Sequence, residues 1–197
     1  MKHPGLTNKV YNKLNDNFEW SEVNFIKVKN IIQKYPQNRQ QSAVIPLLDL
    51  AQRQNKGWLS KHALEKVAET LSMSYIRVLE VATFYSMFNL KPIGENFVQI
   101  CRTTPCWLRG SDKLVEVAKN VTETKIGETS KNNKFTILEV ECLGACCNAP
   151  MVQINDQYYE DLNPENFKNL LLNIKNNTPI KKGSQIGRKS SHPKRDL

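Results

Sequence analysis

Apolar positions recur at helical spacing through the first half of the chain and fall into short runs through the second. Residues 1–20 are polar, Asn-rich and without period, which predicts an extended arm. From Ser21 the pattern changes: Phe25, Val28, Ile31 and Ile32 mark a helix, with Ser21 as N-cap and Pro36 ending the run. A second helix follows Ser42, turns Ile45, Leu48 and the Leu50–Ala51 step inward, and stops at Gly57. Pro46 is tolerated there because it falls in the first turn. Ser60 caps a third helix with Leu64, Val67, Ala68 and Leu71 on one face, and Ser74 opens a fourth with Ile76, Leu79, Thr83 and Met87 inward. Residues 21–91 therefore predict a small antiparallel helical bundle joined by short loops.

The character shifts at Lys91-Pro92-Ile93-Gly94. Phe97 to Cys101 reads as a strand, and Ser111 and Asp112 start a helix carrying Leu114, Val115 and Ala118. Phe135 to Val140 reads as a second strand. Met151 to Ile154 and Gln157 to Glu160 form a hairpin across Asn155-Asp156. Asn163 caps a last helix with Pro164 at its first position and Phe167, Leu170, Leu171 and Ile174 along one face. Strand, helix, strand, hairpin, helix over 95–175 is the order of a thioredoxin-like α/β domain, so the whole is α+β. Residues 176–197 are rich in Lys, Ser and Gly and predict a basic, flexible tail.

With 40% hydrophobic and 24% charged residues among 197, the chain has ordinary globular material for a core. Its 28 Lys+Arg against 19 Asp+Glu leave a net charge of +9. Much of that excess sits in the tail, where Lys181, Lys182, Arg188, Lys189, Lys194 and Arg195 face Asp196 alone. No basic-and-aromatic interleaving accompanies it, which disfavours a nucleic-acid binder. No apolar run approaches the ~20 residues that cross a bilayer, and the first residues carry neither a secretory core nor an Arg-rich transit helix. The expectation is a soluble protein that stays where it is made. Neither a glycine-rich dinucleotide fingerprint nor a phosphate loop appears.

Five cysteines is an odd number, and clustered thiols in a reducing compartment read as metal ligands or redox groups. Cys101 and Cys106 form a C-x4-C pair at one strand end, and Cys142 and Cys146 a C-x3-C pair after another. In a thioredoxin-like sheet those strand ends can lie side by side, so four thiolates can converge on one centre. Spacing wider than C-x2-C favours an iron–sulfur cluster over structural zinc, and a redox thiol pair normally takes C-x-x-C at a helix start. All three remain open on spacing alone. Cys147 reads as a small buried hydrophobe, with exchange of roles between Cys146 and Cys147 as the alternative. Gly144 lets backbone amides approach the sulfurs. Arg102 and Arg109 are candidates to stabilise a reduced cluster, against the plain alternative of solvated charges. His3, His62 and His192 lie far from the cysteine segments, which disfavours His ligation.

The stretches Gln99 to Asp112 and Glu141 to Pro150 resemble the thioredoxin-like [2Fe–2S] subunit of NADH:quinone oxidoreductase, respiratory complex I. So do Gly57-Trp58-Leu59, Val81 to Phe88 and Tyr158-Tyr159-Glu160-Asp161-Leu162, and the likeness runs from about residue 20 to 175. The resemblance implies one [2Fe–2S] cluster on Cys101, Cys106, Cys142 and Cys146. It also implies a partner that binds FMN and NADH, and a role as an electron-transfer subunit without catalytic competence of its own. Arg102 and Cys147 depart from the family pattern, where a small or polar and an aliphatic residue are usual. The compartment expected is a bacterial cytoplasm, at the inner membrane face through the complex, with a mitochondrial matrix as runner-up. The rivals are the equivalent subunit of an NAD-linked hydrogenase or formate dehydrogenase, and a zinc-stabilised adaptor.

Overall fold

Short polar caps and apolar stripes build the first of two units, which divide between Ile93 and Gly94. The computed structural model describes residues 17–188; the remainder of the expected N-terminal arm (1–16) and of the tail (189–197) lies outside them. Four helices make up the first unit: α1 (Glu22–Ile32), α2 (Val44–Gln54), α3 (Lys61–Thr70) and α4 (Tyr75–Phe84). Ser21 and Ser60 cap α1 and α3 by accepting from the amides of Asn24 and Ala63. Each such cap contributes about 1 kcal/mol. Pro46 sits in the first turn of α2, where no intrahelical bond is lost. Leu47, Leu48, Ala51, Leu64, Val67 and Val78 form the centre of its core.

Two expected faces are corrected. Phe25 and Ile76 are exposed, and so is Met87. On α4 the buried side chains are Val78 and Ala82, because a helix apolar nearly all round gives no single stripe to read. Met87 lies beyond the helix, which ends where Tyr85 turns extended (ψ 119°). Residues 17–20, assigned to the polar arm, carry no regular structure but pack. Phe18 is buried, Trp20 donates to Thr70 Oγ1 (3.0 Å), and Gln54 donates to the Glu19 carbonyl (2.7 Å).

The second unit is a five-stranded mixed sheet with two long helices over one face. Its elements are β1 (Asn96–Cys101), α5 (Thr104–Leu108), α6 (Ser111–Thr122), β2 (Phe135–Val140), β3 (Val152–Ile154), β4 (Gln157–Glu160), α7 (Pro164–Lys175) and β5 (Gly183–Ser184). The strand order is β2-β1-β3-β4-β5, with β1–β2 and β4–β5 parallel and the other pairs antiparallel. Period-2 alternation puts Val98, Ile100, Phe135, Ile137, Val152, Ile154 and Tyr159 on the face that packs with Leu114, Ala118, Phe167 and Leu171. Asn163 and Asn166 form a reciprocal capping box at the start of α7.

Two differences from the sequence reading bear on the site. The segment after Cys101, read as a loop, is the short helix α5. The tail expected to lack structure from residue 176 returns to the sheet as β5, pairing Tyr159 with Gly183 and Glu160 with Ser184. Unpaired backbone on the edge of β4 is what it satisfies.

Candidate metal centre

Strands β1 and β2 run parallel with Cys101 opposite Val140, so the chain leaves both at the same end of the sheet. Beyond β1, Thr103 precedes α5 and Pro105 falls in its first turn, where a missing N–H costs nothing. That turn carries Cys106 back toward Cys101. Both residues are 1% exposed and sit in a small satellite core with Ala145, Ala149 and Met151. Beyond β2 the chain turns at Gly144, whose φ of +85° a side chain would strain. It then makes one 3-10 turn over Cys146–Asn148. The sulfurs of Cys142 and Cys146 lie 3.4 Å apart, and both residues are exposed.

The thiols thus come as two pairs, and polar groups link them. Cys106 donates to Cys101, and with a further donation from the Thr103 hydroxyl, against burial, this brings the Cys101 thiol down to about 5. As the donor, and buried, Cys106 is pushed up. The Gly144 amide donates to Cys142 Sγ (3.4 Å) and, with Cys146 and Thr103, holds Cys142 below the usual thiol range, whereas donation to Cys142 raises Cys146. Thr103 therefore serves a sulfur from each pair. Tyr158 anchors the outer loop from β4 by donating to the Leu143 carbonyl (2.7 Å). Among the described residues no three His, Cys, Asp or Glu side chains gather in the arrangement of a metal-ion site, so the four thiols stand as two pairs rather than one group. Two thiol pairs at one end of a sheet, with amide and hydroxyl donors beside them, fit a binuclear iron–sulfur rhomb that takes two ligands at each iron.

The chain also matches the profile described as thioredoxin-like [2Fe-2S] ferredoxin, over residues 28–175. It belongs to that family. Relatives agree over most of the length. It is 53% identical over 174 residues to the mitochondrial "NADH dehydrogenase [ubiquinone] flavoprotein 2" of Dictyostelium discoideum, covering 88% of this chain and 70% of that protein. It is 54% identical over 160 residues to a subunit of the NADH-quinone oxidoreductase of Rickettsia bellii, covering 81% and 96%. Among solved structures, an NAD+-reducing [NiFe]-hydrogenase in the H2-reduced state superposes with a TM-score of 0.60 at 18% identity. That match covers 75% of this chain and 24% of the hydrogenase chain, and it speaks for the fold alone.

Several single-residue expectations change. Cys147 is exposed, not a buried hydrophobe, because the turn at Cys146–Asn148 buries Asn148 in its place. Arg102 donates to Ser111 Oγ (3.2 Å), pairs with Asp112, and has Nε 3.3 Å from Glu139 without hydrogen-bond geometry. Three groups on α6 and β2 therefore hold its charge, none of them a thiol. Arg109 is exposed and acts on Asp161. His62 lies on α3 in the helical unit, and His3 and His192 fall outside the described residues. The sequence reading missed Thr103, Tyr158 and a clamp from Arg188 onto the Cys147 carbonyl (2.9 Å). Tyr158 and Asp161 stood in a motif already noted, but no local pattern tells what a strand-end side chain reaches.

Proposed function

We propose that Cys101, Cys106, Cys142 and Cys146 hold one [2Fe–2S] cluster, and that the chain serves as the electron-transfer subunit of the NADH dehydrogenase module of complex I. The observation that carries this is the pairing of the four thiols at the common end of β1 and β2, within a chain more than half identical to complex I subunits. When bound, the cluster accepts and releases one electron at a time. The residues of this chain supply the holding: β1 and α5 fix the inner pair in apolar surroundings, and Gly144 and Thr103 donate to sulfur. Such donors stabilise negative charge on the ligands. Tyr158 keeps the outer loop against the sheet.

Hydride chemistry belongs to a partner that binds FMN and NADH, so this chain serves an oxidoreductase without being competent alone. Trp107 and Leu108, 55% and 71% exposed, leave apolar surface next to Cys106 of the kind a partner subunit covers. No helix among the described residues is long and apolar enough to cross a membrane. Relatives occur in bacteria and in a mitochondrion. We place the chain in a bacterial cytoplasm, held at the inner membrane face through its complex, with the mitochondrial matrix as the second setting.

The test is affinity isolation of the full chain from its own cells. Co-purification of an FMN-containing subunit with NADH-dependent reduction of an artificial acceptor and a quinone-reducing assembly is the outcome expected. Recovery with a nickel–iron hydrogenase or a formate dehydrogenase instead would transfer the chain to that second reading.

A further inference from the structure

The strand β5 brings the chain back alongside β4, and Arg188, just beyond it, reaches the loop that bears Cys146. Ser184 Oγ donates to Asp161 Oδ2 (2.5 Å), and the Arg188 amide donates to Ser184 Oγ (3.0 Å). The Arg188 guanidinium pairs with Asp161 Oδ1, and its Nη2 also donates to the carbonyl of Cys147 (2.9 Å). Asp161 in turn donates its amide to the carbonyl of Asn148 (2.8 Å), while the Asn148 side chain, 1% exposed, donates to Glu160. The carbonyls of the two residues after Cys146 are thus held by the Arg188 guanidinium, for Cys147, and by the backbone amide of Asp161, for Asn148. Asp161 is the buried member, with its side chain 2% exposed against 43% for Arg188. Arg109 also acts on Asp161, and Glu160 and Cys147 act on Arg188.

We infer that Arg188 and Asp161 are a positioning pair for the cluster site, fixing the Cys146–Asn148 turn and setting the charge beside the outer ligands. The inference rests on the ligand reading above. Its physical content is a sign. Reduction adds one negative charge to the centre, so a cation nearby favours the reduced form and an anion disfavours it. In the native chain the two charges offset each other. Arg188→Gln removes the cation paired with the carboxylate, and Asp161→Asn removes the anion paired with the guanidinium, leaving in each case the weaker action of Arg109 or of Glu160 and Cys147. A clamp that mattered only for packing would loosen in both variants and move the centre in one direction.

The experiment is a redox titration of the full chain, followed by electron paramagnetic resonance, with hydrogen exchange at the Asn148 and Ala149 amides as a second readout. At the native midpoint potential, Arg188→Gln lowers the reduced-to-oxidised ratio by on the order of fivefold, and Asp161→Asn raises it by about as much. The double variant returns to within about twofold of native, and Arg188→Lys, which keeps the charge, stays there as well. Exchange at Asn148 and Ala149 accelerates by roughly tenfold in both single variants. Shifts of the same sign in Arg188→Gln and Asp161→Asn, or unshifted potentials, overturn the inference. If the native chain carries no iron and sulfide, the ligand reading falls separately. The exchange rates then decide alone, and unchanged protection in both variants overturns the positioning role.

Discussion

The two cysteine pairs are held by different means. Cys101 and Cys106 are 1% exposed, one at the end of a central strand and the other on a short helix backed by Met151, Ala145 and Ala149. Cys142 and Cys146 are exposed, on a loop that buries Ala145 and leans Leu143 on the same small core, with further single polar contacts from Tyr158, Gly144 and the Arg188–Asp161 pair. The inner pair is part of the hydrophobic architecture and shares its cooperativity. The outer pair adds to one buried alanine a handful of hydrogen bonds that can be changed one at a time, each worth about 1 kcal/mol. One half of the site therefore lies wholly inside the core, and the other half hangs on it by fewer contacts.

The largest expected effect separates the pairs directly. Cys101→Ser and Cys106→Ser lose the [2Fe–2S] signal, because strand and helix cannot move to bring a shorter oxygen ligand to iron. Cys142→Ser and Cys146→Ser alter the signal strongly yet keep part of the iron, since their loop can follow. Iron content and electron paramagnetic resonance of the four variants check this; a uniform loss would erase the distinction, and a normal signal in Cys142→Ser would show the ligand set to be wrong. A smaller effect comes from the supports. Ile100→Ala, at a fully buried position in β1, costs about 2–5 kcal/mol of unfolding free energy. Gly144→Ala, at φ +85° with open space around it, costs about 1–2 kcal/mol. Denaturant titration gives both values, and a Gly144→Ala loss equal to that of Ile100→Ala would place the outer loop inside the cooperative core.

The smallest effect is one of pH. Burial acts to raise the Asp161 carboxyl, but Arg188 and Ser184 outweigh it and hold the group below the usual carboxylate range. A depressed folded value means that the pair's contribution is fully present above the unfolded value of about 3.9 and is lost as pH falls through the folded one. The NMR signals of the Gln185 and Arg188 amides should titrate with a midpoint below about 3.9, and lose that step in Asp161→Asn. A midpoint at or above the unfolded value would mean that the ion pair adds nothing.

Legibility in the sequence followed the same division. Phe135–Val140, Gln157–Glu160 and the Asn163 cap were readable because strand alternation and capping are local rules. The parallel placement of the two cysteine-bearing strand ends followed from element order. The inward face of α4 was not readable, because Ile76 and Val78 are equally apolar and only packing chooses between them. Nor was α5, which at five residues is set by its surroundings rather than its propensity. The contacts of Tyr158, Asp161 and Arg188 join residues far apart in the chain, and composition near Arg188 reads as a solvated tail. What escaped the sequence is therefore the polar scaffold of the outer pair. The cysteines themselves were visible throughout.

The central claim is met most directly by measuring iron and acid-labile sulfide on anaerobically purified chain, with an electron paramagnetic resonance spectrum after dithionite reduction. Two irons and two sulfides per chain, with an S = ½ signal of rhombic or axial form, are the expected result. Stoichiometric zinc without sulfide, persisting after cluster reconstitution, would contradict it and leave the four cysteines as a structural zinc site.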